Sequence, residues 1–132
     1  MAGDPILIVD DNPTNLKLAR VLLAGEGYEV KTALNAEEAL EQAKSDPPAA
    51  IVLDLMMPGM DGREFLRRLR RTKGGRATPV VVWTVKDLTP DEREELMSPV
   101  QAVIRKTDGP QALVTQLAVF VPAPVAETTS GG

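Results

Sequence analysis

Five polar residues share one kind of position in this sequence, directly after an apolar run. Asp10 and Asp11 follow Ile6-Leu7-Ile8-Val9, and Asp54 follows Ala49-Ala50-Ile51-Val52-Leu53. Thr84 follows Pro79-Val80-Val81-Val82-Trp83, and Lys106 follows the run from Gln101 to Arg105. If the runs are parallel strands, all these residues lie at one edge, the carboxyl edge where open α/β sheets bind ligands. Neighbouring strands lie about 4.8 Å apart, so carboxylates on adjacent strands can share one ion. A lysine stem can reach in from two strands away.

The charges do not balance by themselves. Two like charges about 4 Å apart repel by about 4 kcal/mol at an effective dielectric of 20. A domain with about 5–15 kcal/mol of stability does not gather Asp10, Asp11 and Asp54 without a counter-charge. Lys106 supplies one positive charge against three negative ones, and the deficit calls for a divalent cation. Oxygen-only ligands with room for water and phosphate favour Mg²⁺, or Mn²⁺, over zinc. A metal and a lysine around a carboxylate make a phosphoryl-transfer site. Asp54 is the attacking group, already ionised and needing no general base. The cation and Lys106 neutralise the oxygens of the transferring group. The Thr84 hydroxyl can donate to a phosphoryl oxygen, pulling the following loop and helix after it. The plain alternative for each residue alone is a polar group in a turn; together they are harder to dismiss.

The positioning elements can be read from the same sequence. Unbroken apolar runs bounded by Pro and Gly predict strands covered on both faces. Asn12-Pro13 opens a helix with Leu16, Ala19 and Leu23 as its stripe, widened by Leu18 and Leu22 and stopped by Gly25 and Gly27. Tyr28–Ala33 is a less apolar strand, placed at a sheet edge. Asn35-Ala36-Glu37-Glu38 caps a short helix ending before Pro47-Pro48. Asp61-Gly62-Arg63-Glu64 opens a helix through about Arg71. Thr89-Pro90-Asp91-Glu92 opens one to about Met97. Asp108-Gly109-Pro110 opens the last, with Leu113, Leu117 and Phe120 as its stripe. Strands alternating with helices build right-handed βαβ units, hence an α/β doubly wound five-stranded parallel sheet with helices on both faces.

Composition narrows the chemistry further. The 132 residues suit one domain, residues 1–121, and the Pro/Ala/Thr/Gly-rich residues 122–132 read as a flexible tail or linker. A net charge of -4 argues against nucleic acid as a default partner. The sequence holds no Cys and no His. Thiol nucleophiles, Ser-His-Asp catalysis, His metal sites and phosphohistidine donation are thereby excluded. No secretory signal or membrane-length apolar run is visible, so a soluble cytoplasmic protein is expected.

These residues resemble a family. VDD after the first strand, DLMMPGMDG around the third, Thr84 and Lys106 resemble the response-regulator receiver domain of two-component signalling, from about Pro5 to Val121. The resemblance implies a flavodoxin-like strand order 2-1-3-4-5. It implies that Asp54 takes a phosphoryl group from a phosphohistidine on a sensor histidine kinase or phosphotransfer protein. Asp11 and Asp54 would ligate Mg²⁺ directly with the Met56 backbone carbonyl, Asp10 would act through water, and Lys106 would contact the phosphoryl group. Thr84 would be the switch hydroxyl. A homodimer through the fourth predicted helix, the fifth strand and the last helix is compatible with it.

Three positions depart from the family pattern. Val103 replaces the usual switch aromatic, Thr107 the proline after the lysine, and Val85 the small residue after Thr84. Phosphorylation chemistry survives these changes, but the usual aromatic flip does not. Two other readings therefore stand beside the phosphoacceptor. One is a receiver-like binding module that does not switch on phosphorylation, which the intact acidic cluster opposes. The other is a Mg²⁺-dependent phosphohydrolase, opposed by the lack of a cap insertion and by Met56 standing where a second Asp would be needed. Arg63, Arg67, Arg68, Arg70, Arg71 and Lys73 read as a solvated basic face rather than a docking patch. Trp83, the only Trp, reads as core packing and as a fluorescent reporter of the site.

Overall fold

The apolar runs become strands because nothing in them asks for water. A computed structural model describes residues 5–54, 62–72, 78–84, 89–91, 94 and 102–121. It contains β1 (Ile6–Val9), β2 (Val30–Ala33), β3 (Ala50–Leu53), β4 (Val80–Thr84) and β5 (Ala102–Arg105). They form one parallel sheet in the order β2-β1-β3-β4-β5. The three inner strands are buried along their whole length, as covering on both faces requires. The outer strands β2 and β5 are only partly buried, which matches their more polar sequences.

Helices α1 (Pro13–Gly25), α2 (Ala36–Ser45) and α3 (Gly62–Arg71) are followed by a C-terminal helix, Pro110–Phe120. The side chain of Asn12 accepts from the Thr14 amide at 2.9 Å, and that of Asn35 from the Glu38 amide at 2.8 Å. Each satisfies an amide that the first turn leaves without a partner. At the start of the C-terminal helix Gly109 adopts φ 88°, a left-handed conformation in which an added side chain would meet strain rather than a steric neighbour.

Two cores flank the sheet. One packs Val9, Leu53 and Val82 against Leu40 of α2 and Phe65 and Leu69 of α3. The other packs Ile8, Val52, Trp83 and Ile104 against Leu16 and Leu23 of α1 and Leu113 and Leu117 of the C-terminal helix. Alternate residues of each strand thus face opposite cores, as the pleat dictates.

Several expectations need correction. The second strand begins at Val30, not Tyr28. Tyr28 is buried, and its hydroxyl donates to the Val121 carbonyl at the end of the C-terminal helix. Burial, then the nearby Glu26, raises that phenol above its ordinary value. Leu18 does not widen the α1 stripe, because it is exposed. Phe120 is only partly buried, and Val114 joins the buried stripe. Of the fourth predicted helix, Pro90, Asp91 and Glu94 are helical; its remainder, the Asp61 cap and the tail after Val121 lie outside the described residues. Among the described residues no helix is long and apolar enough to cross a membrane.

Candidate functional site

Register alone brings most of the candidates together. Val9 pairs with Leu53, and Leu53 with Val82. One step further along lie Asp10, Asp54 and Trp83, and Trp83 pairs with Ile104. The ladder runs on past the strand end, with the Asp54 amide donating to the Val9 carbonyl at 2.9 Å. Asp10 and Asp54 stand two residues beyond Ile8 and Val52, which returns them to the face that carries Trp83 and Ile104. Lys106 is two residues beyond Ile104, so the same period aims it at the same face.

The side chains meet there. Carboxylate oxygens of Asp10, Asp11 and Asp54 lie within 4.8 Å of one another. Lys106 Nζ donates to Asp10 Oδ2 at 2.5 Å and to Asp54 Oδ2 at 3.2 Å. Asp10 and Asp54 are buried and the Lys106 side chain is 10% exposed, while Asp11 is open to solvent. Asp10 is held from two sides, because the Asn12 amide donates to Oδ1 at 2.9 Å. Asn12 thus caps α1 and also fixes the carboxylate two residues before it, a local turn legible in the Asp-x-Asn spacing.

Thr84 ends β4, is fully buried, and stands in register with Arg105 beside Lys106. Val103 is partly buried against the core beneath α2 and α3. Thr107 is exposed in the 3-10 turn Lys106–Asp108. The expected Met56 carbonyl ligand and Val85 lie outside the described residues. The face proposed for dimerisation lies partly outside them too.

A partner that the sequence reading missed is Trp83. Lys106 Nζ sits over its ring, 5.2 Å from the centroid. The ring is buried in the core as expected, yet it also floors the lysine. The missing signal was the pairing of β4 with β5, which parity within one strand does not reveal.

Of the basic residues on α3, Arg67, Arg68 and Arg71 are exposed, as expected, while the Arg63 side chain and Lys73 lie outside the described residues. Glu64 pairs with Arg68 at 2.9 Å and with Arg67. The hydrogen bond from Arg68 is the largest influence and holds the Glu64 carboxyl below its ordinary value; burial comes next and opposes it, and the charges of Arg67, Arg68 and Arg71 add to the lowering. Arg70 turns inward instead, donating to the Thr78 carbonyl at 2.7 Å.

A doubly wound parallel sheet with carboxylates and a lysine at its carboxyl edge defines a class, and comparison with known proteins narrows it. Residues 6–118 match the family model of the response regulator receiver domain. Response regulator PleD of Caulobacter vibrioides (strain NA1000 / CB15N) is 43% identical over 93 residues, covering 70% of this chain and 20% of PleD. Chemotaxis protein CheY4 of Vibrio cholerae is 28% identical, with a TM-score of 0.84 over 91% of this chain and 100% of that one. The receiver domain of sensor histidine kinase PA1611 from Pseudomonas aeruginosa, solved with a magnesium ion coordinated in its active site cleft, is 28% identical. Its TM-score is 0.80 over 90% of this chain and 98% of that one. The chain belongs to the response regulator receiver domain family, consistent with a part in two-component signalling. It spans only 20% to 63% of the length of the curated relatives it matches.

Proposed function

We propose that the chain is a phospho-accepting receiver in which Asp54 takes a phosphoryl group from a phosphohistidine of a sensor histidine kinase or phosphotransfer protein. The observation that carries this reading is the convergence of three carboxylates within 4.8 Å of one another, two of which, Asp10 and Asp54, share the Lys106 ammonium. An Asp54 oxygen attacks phosphorus, the P–N bond breaks, and its electron pair leaves with the imidazole nitrogen. An acyl phosphate on Asp54 results.

The donor set fits a hard dication: oxygen atoms only, one exposed carboxylate open to water, and a net negative charge left after Lys106. Asp11 and Asp54, with the Met56 carbonyl, are the residues to hold Mg²⁺ (Mn²⁺ would also suit), and Asp10 would act through water. When bound, the ion supplies electrostatic stabilisation of the phosphoryl oxygens. Lys106 stands close enough to Asp54 to neutralise charge developing on the same oxygens. Thr84 is the hydroxyl that would turn toward the new acceptor. The receiver of PA1611, with its coordinated magnesium, supports the ion assignment by analogy.

Val103 removes the aromatic half of the usual switch, so signal transmission through Thr84 and the segment after β4 is proposed instead. A module that never switches is not favoured, because the acid cluster and its lysine are both in place. Residues 1–121 would form the receiver and the remainder a tail. The test is incubation with phosphoramidate and Mg²⁺ followed by intact-mass analysis. Wild type should gain one phosphoryl mass that acid or base removes, and Asp54→Asn should gain none. A stable adduct, or one that persists in Asp54→Asn, would overturn the assignment.

A further inference from the structure

Lys106 belongs to β5's end, whereas the carboxylates it serves belong to β1 and β3, and β4 lies between. The β4 residue in the same row and on the same face is Trp83. The lysine stem therefore has to cross the indole to reach Asp54. Its ammonium stands 5.2 Å from the ring centroid, inside the roughly 6 Å range over which a ring face attracts a cation. Trp83 is 3% exposed, so the attraction acts where water is scarce. Its Nε1 has no hydrogen-bond partner among the described residues. Within them, packing and the ammonium set the orientation of the ring.

We propose that Trp83 is a positioning residue for Lys106, whose ring face holds the ammonium at the acidic cluster both before and after a phosphoryl group arrives. The inference rests on the phosphoacceptor reading above. Without a phosphoryl group on Asp54, the ammonium leans on Asp10 and Asp54. A phosphoryl group on Asp54 would draw it toward new oxygens. An ion pair to Asp10 is directional and must stretch or break during that move. A ring face attracts a cation over a broad area, so contact persists while the ammonium shifts. A lysine stem carries much rotamer freedom, and a floor beneath it removes the conformations that point to solvent.

The test is a double-mutant cycle on the full chain. Adduct formation from phosphoramidate at saturating Mg²⁺ is timed for wild type, Trp83→Leu, Trp83→Phe, Lys106→Met and the Trp83→Leu/Lys106→Met double variant. Trp83→Leu should slow the reaction about 3- to 20-fold, and Trp83→Phe, which keeps a ring face, less than about 3-fold. In the Lys106→Met background Trp83→Leu should have no further effect. Equal slowing by Trp83→Leu in both backgrounds would mean lost packing and would overturn the proposal. The second arm is emission of the sole Trp. Lys106→Met should change its intensity or maximum, while the neighbouring control Arg105→Met should leave both alone. Unchanged emission in Lys106→Met overturns the contact, even if Trp83→Leu does not fold. Wild type that forms no adduct while the emission arm responds defeats the phosphoacceptor reading and leaves the lysine–indole contact standing.

Discussion

Two lysine–aspartate pairs in this molecule have nearly the same length and opposite surroundings. Lys106 meets Asp10 at 2.5 Å with side chains 10% and 1% exposed, and Lys31 meets Asp46 at 2.6 Å with side chains 41% and 52% exposed. The exposed pair links β2 to the end of α2 and is bathed in water and salt. Its attraction is screened, and fixing two long side chains opposes it. The inner pair has lost its water and shares its lysine with a second carboxylate, Asp54. Length says little about what an ion pair does. What water has been removed, and which charges are left over, decides it.

The comparison can be broken most forcefully at Lys106. Replacing it with Met leaves three clustered carboxylates without their cation, and should cost about 3–5 kcal/mol of stability in metal-free buffer. Urea denaturation measures it. A loss under about 1 kcal/mol would place the inner pair in the same class as the outer one. The surplus negative charge also predicts ion-linked stability. Mg²⁺ at ten times its dissociation constant should raise unfolding free energy by about 1.4 kcal/mol through mass action. Asp11→Asn should shrink that gain and Lys31→Met should keep it, both read from melts with and without chelator.

A third, smaller effect concerns a buried neutral group. Tyr28→Phe removes the hydrogen bond to Val121 and should cost about 1 kcal/mol near neutral pH. The Tyr28 phenol titrates above its ordinary value in the folded chain. The folded state therefore binds the proton more tightly, and its contribution is fully present below the unfolded value near 10. It is lost as pH rises through the folded value. Wild type and Tyr28→Phe should converge in stability as pH climbs past 10, and parallel curves would disprove the linkage. The smallest effect is expected at the outer pair. Lys31→Met should change stability by about 0–1 kcal/mol, and added salt should erase the difference.

The strands β1, β3 and β4 were legible because both their faces are buried, so apolar residues run unbroken. The edge position of β2 was legible for the converse reason. Its start was not, because Tyr28 looks like a strand residue and is instead drawn to a carbonyl 93 positions away. No local pattern announces such a contact. The convergence of Asp10, Asp11 and Asp54 followed from where each stands relative to its strand. Lys106 followed from reach and charge. Its indole floor was not legible, because it depends on the neighbours of Trp83 across the sheet, Asp54 and Ile104, and not on those along its own strand. Pairing register is a property of the assembled sheet.

That register has a consequence for how β4 tolerates change. Removing one residue just ahead of Val80, with pairing restored by sliding the strand, would advance every β4 side chain by a single pleat. Thr84 would then occupy the slot between Asp54 and Ile104, and Trp83 would turn into the opposite layer among Phe65 and Leu69. The hydroxyl and the ring would each change faces of the sheet without any substitution. The pairing register of β4 thus constrains this rim as much as the identity of the side chains upon it.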